Sequence, residues 1–286
     1  MTFKIALNLI LAQSSILRFW HLESIPPQTE NTLLEGRLLS AATGVLMTLV
    51  VFYFSRMLRI NRKPSLLAAW VYSIIPQAIE QGRIYSPIQL LTFLLFLSGI
   101  IITKYFLKKN NTKLYFTLAT LVFSVIPLYW WIKYPPLLPV DSILNNLFIL
   151  LSPDLLFYRN ITFWWGGLRE FGIMYLFFLP FIILGLLKAF PGKRFLLFIL
   201  LWILVFSAFS PAFPESREIF LAVPLWSVLT GTGLFYSFQA RNIYVKTVAT
   251  GSTLFLLYEY SQLIHYYFRH YPLIISGNLD KIHGAF

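Results

Sequence analysis

The sequence predicts an all-α protein, a polytopic transmembrane helical bundle of about nine spans in one domain covering residues 1–286. Three observations carry that expectation. The 286-residue chain is 58% hydrophobic and only 12% charged, more apolar surface than a water-soluble domain can bury. Apolar windows close to the ~20 residues needed to cross a bilayer core recur along its whole length. Charges are sorted between alternate connections, with most bases on one side and the acids kept to the other.

The elements follow in order. Lys4, an apolar run and small residues at Ala12 to Ser15 resemble a signal peptide. Apolar character resumes at Ile16 and runs to Trp20, so residues 3–20 are expected to be a retained first helix. The second span is placed at 38–55, after the Pro26–Pro27 loop, and a short third at 65–80. The remaining six are 87–106, 113–131, 171–188, 194–210, 218–238 and 243–265. Pro76, Pro127, Pro180 and Pro224 fall inside spans and are expected to kink them, because neighbouring helices can re-satisfy the freed backbone groups. SILNNLFILL, residues 142–151, is too short to span and reads as an interfacial or re-entrant helix.

With the amino terminus in the cytoplasm, the inner segments hold 14 of the 23 basic residues and none of the 11 acids. Ten acids fall on outer segments or outer helix ends, so the two signs of charge agree on one orientation. The outer segments are then 21–37, 132–170, 211–217 and a tail at 266–286. The basic excess is therefore a topology signal, and no nucleic-acid partner is expected. The chain has no cysteine, which excludes disulfides, thiolate metal sites and cysteine nucleophiles.

Chemistry is expected on the outer face, where all four histidines also fall. HLESIPPQTENTLLEGR, residues 21–37, carries Glu30 and Glu35; a carboxylate there could serve as general base or hold a metal, or the loop is simply solvated. QGRIYSP places Arg83 and Tyr85 at a helix mouth, where an arginine suits a phosphate or snorkels to headgroups. SPDLLFYRNITFWWGG sets aromatics beside Asp154, suited to a sugar ring or to an interfacial belt. PESREIF puts Arg217 between two glutamates, as a salt-bridged helix start or a second phosphate clamp. Glu259 lies inside the last span and requires a polar cavity or an arginine partner, for which Arg83 and Arg217 are the residues to test. His265, His270, His283 and Asp280 cluster loosely in the tail, but their spacings match no helical i, i+4 pair, so no metal site is expected.

Several segments together resemble the GT-C glycosyltransferases, in the bacterial branch near the lipid A aminoarabinose transferases and protein O-mannosyltransferases. RFWHLESIPP is similar to the end of their first span. GRLLSAATGVLMTLVVFYFSRML resembles their R-x-P-S-A-x-x-G helix, with leucine at 38 or 39 in place of proline. LLAAWVYSIIPQAIEQGRIYSP is similar to their L-L-A-A…P…S-R helix pair. SPDLLFYRN and YLFFLPFIILGLL are similar to their long outer loop and the helix after it. PESREIFLAVPLWSVLTGTGL and HYYFRHYP resemble later family motifs, in the family's order, so that the likeness covers residues 18–105 and 150–275.

The resemblance implies a polyprenyl-phosphate-linked sugar as donor and transfer to an acceptor on the extracytoplasmic side of a bacterial inner membrane. Arg83 and Arg217 would hold the donor phosphate. A first-loop carboxylate, Glu30 or Glu35, would deprotonate the acceptor. Arg37, Tyr85, Asp154, Glu259 and His270 would line the cavity. A divalent metal is left open, membrane lipid is the expected partner, and no protein partner is implied. The chain departs from the family in its first outer loop: Gln28-Thr29-Glu30-Asn31 follows Pro27 where the family carries Asp-Glu and a long loop. The alternative is accordingly a non-catalytic GT-C-like protein that binds lipid phosphate or serves as an accessory subunit. A transporter ranks last, because no internal repeat is visible.

Overall fold

The computed structural model describes residues 2–22, 34–106, 140–158, 171–189, 194–209 and 217–270. The described residues are predominantly helical, joined by short turns, and include no strand. In chain order the helices are α1 Phe3–Phe19, α2 Leu34–Met57, α3 Arg62–Ile74, α4 Pro76–Gln81, α5 Pro87–Phe106 and α6 Val140–Leu150. A π turn, Asp154–Tyr158, and a 3-10 turn, Leu176–Phe178, lead to α7 Leu179–Ala189 and α8 Arg194–Ala208. The 3-10 turn Arg217–Ala222 opens onto α9 Val223–Gln239, followed by α10 Ile243–His265 and a final π turn Tyr266–His270.

Among the described residues, three helical stretches are long and apolar enough to cross a membrane: Leu34–Met57, Pro87–Lys104 and Ile219–Gln239. Leu176–Lys188 and Leu196–Ala208 are shorter apolar helices. The expected span at 113–131 and Pro127 lie outside the described residues.

Proline does something different from the kinks expected of it. Pro76 opens α4 after an extended Ile75, and Pro224 stands in the first turn of α9. Pro180 is the second residue of α7. At Pro76 the missing N–H has no helical acceptor to lose, because the preceding Ile75 is turned away from α geometry, whereas Pro180 and Pro224 each stand where a 3-10 turn passes into an α-helix. The expected third span is thus two helices with a break, α3 and α4.

α9 is the centre of the bundle, with nearly every residue from Val223 to Leu234 buried. It packs chiefly on α7 and α3, while α2 packs on α1, α3 and α5. Close approach needs small residues. A Cβ on Gly233 would lie 2.7 Å from the Phe181 carbonyl carbon and one on Gly185 2.7 Å from the Leu229 carbonyl carbon, while one on Gly231 would run into the Ala68 amide nitrogen. Without aqueous solvent to drive helices together, packing through such contacts holds membrane helices.

The helix directions give the bundle two ends. At one, Phe3 meets Phe52 with ring centroids 5.3 Å apart and Arg62 lies 5.8 Å from the Phe3 ring. Lys188 and Tyr236, at the ends of α7 and α9, also pair, 5.6 Å apart. At the other end, the last turn of α1, the first turns of α2 and the α4–α5 connection come together.

α2 ends in a bond from the Ile60 amide to the Ser55 carbonyl at 3.1 Å, with Arg59 in the left-handed region at φ 58. This is the six-to-one closure that usually employs glycine.

Candidate functional site

The second end of the bundle is built around three buried arginines. Arg18, Arg37 and Arg83 are 0%, 1% and 0% exposed, and Glu80 is 1% exposed. Burying that much charge is costly unless the groups are hydrogen-bonded, and the three arginines find backbone carbonyls to bond.

Arg18 lies in the last turn of α1. One terminal nitrogen donates to Ser14 Oγ at 2.7 Å and reaches the Ser14 and Ser73 carbonyls at 3.3 and 3.4 Å. The other donates to the Ala78 carbonyl at 3.2 Å. Ser73 is exposed as an acceptor because the break at Pro76 ends α3 one residue later. The Arg18 stem passes between two glycines: a Cβ on Gly44 would lie 2.5 Å from its Nε, and one on Gly82 2.8 Å from it. Tyr72 stacks below, its ring centroid 5.8 Å from the guanidinium carbon.

Arg83 performs the reciprocal task. It caps the C-terminus of α1, donating to the carbonyls of Leu17 at 2.9 Å, Trp20 at 2.7 Å and His21 at 3.3 Å. A cation at a helix C-terminus meets both the orphan carbonyls and the negative end of the dipole. His21 adopts φ 50 there. The rings of Tyr267 and Phe268, from the final π turn, lie 5.3 and 5.0 Å from the Arg83 guanidinium carbon. Burial pushes the Tyr267 phenol up to about 12, against the pull of Arg83, so it stays protonated through the neutral range.

Arg37 joins the two halves. Its Nε donates to the Arg83 carbonyl at 3.1 Å, while the Ser86 amide donates to Ser40 Oγ at 3.0 Å. Gly36 packs so close to Tyr85 that a Cβ would stand 2.6 Å from the ring. Glu35 is exposed beside them in the first turn of α2, and Tyr85 is 50% exposed. The arrangement, called the mouth below, sets a solvent-facing carboxylate and phenol above a layer of fully buried arginines.

Of the expected site residues, Glu35, Arg37, Arg83 and Tyr85 converge at this mouth, and His270 adjoins it through the turn carrying Tyr267 and Phe268. Glu30 lies outside the described residues, as do Asp280 and His283. Arg217 opens the 3-10 turn before α9, and its side chain lies outside the described part. Asp154 is exposed at the start of its π turn, which pairs with 173–174 through the Leu155 and Leu156 carbonyls. The Glu259 carboxylate accepts from the Leu176 and Phe177 amides, both at 3.1 Å, which answers its need for polar partners from the backbone. It caps the 3-10 turn before α7, whose orphan N–H groups are an alternative to a cationic partner.

Sequence reasoning missed Arg18 and Glu80. The signal for Arg18 was a serine four residues before an arginine in an apolar helix, S-x-x-x-R, which places hydroxyl and guanidinium on one face. The signal for Glu80 was the crowding of Gln77, Glu80 and Gln81 into a six-residue helix. All three are buried.

Among the described residues no group of three histidine or carboxylate side chains is placed to hold a metal ion. Comparison with known proteins finds no matching family model, no matching curated protein and no matching solved structure, so the chemistry of this mouth is argued from its own residues.

Proposed function

We propose that the chain is a multi-pass protein of the bacterial inner membrane that handles a polyprenyl-phosphate-linked sugar at the extracytoplasmic end of its bundle. In this reading it is a GT-C-like glycosyltransferase, with Glu35 or Glu30 as the base that activates an acceptor hydroxyl. The observation that carries the reading is the meeting of residues 35–37 with 82–86, far apart in sequence, over a base of buried arginines. Arginine recognises phosphate by forked hydrogen bonding, and a rim carboxylate within reach of the acceptor is what proton abstraction requires. Lipid is the partner.

The test is transfer by the purified chain in nanodiscs supplied with a labelled polyprenyl-phosphate sugar. Glu35→Gln and Glu30→Gln together are expected to abolish transfer while leaving insertion and folding intact. Full turnover in the double variant would remove the transferase reading.

One observation favours a second reading, a GT-C-like protein that binds lipid phosphate without turnover. Arg83 donates to three backbone carbonyls at and just beyond the C-terminus of α1 and so holds the fold together. That reading expects saturable binding of a polyprenyl phosphate and no sugar transfer by the single chain. Detected transfer would discard it.

A further inference from the structure

His265 ends α10 and His270 ends the π turn that follows. On an α-helix the facing neighbours are three or four residues apart, and a residue five along points elsewhere. A π turn is wider and carries the fifth residue back onto the same face. The two Nε2 atoms stand 3.1 Å apart, and both side chains are exposed. The ring centroids are 4.9 Å apart with planes at 65°. The helical spacing rule therefore fails in this tail because the helix itself changes pitch.

Two imidazole nitrogens bound to one ion at about 2.0–2.1 Å stand about 2.9–3.4 Å apart, from right-angle to tetrahedral geometry. The pair already meets that spacing. Imidazole suits zinc, copper and nickel, and not magnesium or calcium. We propose that His265 and His270 form a surface site for a divalent transition metal of the zinc–copper–nickel class, with water completing the coordination. Both rings must be neutral, with the Nε2 lone pairs on the ion and the proton on Nδ1. A metal held this way bridges the ends of the segment Tyr266–Arg269. That segment carries the two rings stacked on Arg83, so the ion would fasten the turn over the arginine. Arg269 is exposed in the same turn and is the nearby cation that opposes binding. The site does not depend on the transferase reading.

The competing account is a plain hydrogen bond between two neutral imidazoles, which holds the same distance without a metal. The experiment titrates Cu2+ into the full chain, purified in detergent with a tag that contains no histidine. Electron paramagnetic resonance then counts the coordinating nitrogens. One saturable ion with two imidazole nitrogens is expected. His265→Ala and His270→Gln should each lose that two-nitrogen signal, while His283→Ala retains it. Zn2+ should slow amide exchange at residues 266–270 in the wild type, reversibly with chelator, and leave His270→Gln unchanged. The metal-free exchange pattern of His270→Gln, matching the wild type, verifies that the turn is intact. No saturable binding, or a two-nitrogen signal that survives both substitutions, overturns the proposal and leaves the hydrogen bond as the explanation.

Discussion

At the scale of residues, the two arginines at the end of α1 are reciprocal clamps. Arg18 leaves α1 to bond the carbonyls around the Pro76 break, and Arg83 comes from beyond that break to bond the carbonyls of α1. Neither contact is visible from one segment alone, because each depends on an acceptor that exists only where another helix stops. Arg83→Leu removes three charge-assisted hydrogen bonds, one to a buried carbonyl and two to part-buried ones, and is expected to cost about 3 kcal/mol. Thermal unfolding in detergent measures it; a change below about 1 kcal/mol would deny the cap. The Arg18 clamp makes a sharper prediction. Gly44→Ala pushes a methyl to 2.5 Å from the Arg18 Nε, at an expected cost of about 1–3 kcal/mol. In an Arg18→Ala background that clash is gone, so most of the penalty should vanish. Equal cost in both backgrounds would mean that the glycine is needed for some other contact.

At the scale of elements, glycines divide by what lies beside them. Gly233 faces the backbone of α7, which cannot yield as a side-chain tip can. Gly233→Ala is expected to destabilise by about 3 kcal/mol or more. Gly251 lies inside α10, and among the described residues a Cβ there would meet no atom within 4 Å beyond its own stretch of helix. Gly251→Ala should stabilise by about 0.5–1 kcal/mol through helix propensity. Opposite signs for one substitution are the check, read as melting temperatures side by side. Helix positions were largely legible in the sequence: apolar windows at 87–106 and 243–265 are helices with those bounds. The breaks were not, because Pro76, Pro180 and Pro224 look alike as letters inside apolar runs. Whether a proline kinks or starts a helix depends on whether neighbours supply acceptors and donors, as Arg18 does at Ser73. The glycine contacts in TGTG were equally silent, since small residues signal close packing only once the partner helix is known.

At the scale of the whole molecule, the two ends of the bundle differ in chemistry. The end that gathers Phe3, Phe52 and Arg62 carries Arg56, Arg59 and Lys63 nearby in sequence, whereas the other carries Glu35 and Glu80. Orientation follows basic residues close to helix ends, so the basic end is expected in the cytoplasm and the mouth outside. The absence of cysteine makes this directly measurable, because any single introduced thiol is the sole target of a maleimide. Asn61 and Asn242 are exposed at connections between helices on the basic side, and Glu35 and Asp154 are exposed on the acidic side. In intact cells or sealed right-side-out vesicles, Glu35→Cys and Asp154→Cys should react with a membrane-impermeant maleimide. Asn61→Cys and Asn242→Cys should react only after permeabilisation. Labelling of Asn61→Cys from outside would place the arginine base in the cytosol, where a donor headgroup presented on the outer leaflet cannot reach it. The same reversal would leave the α1 clamps and the glycine contacts untouched, since those depend on which helices meet and not on which compartment they face.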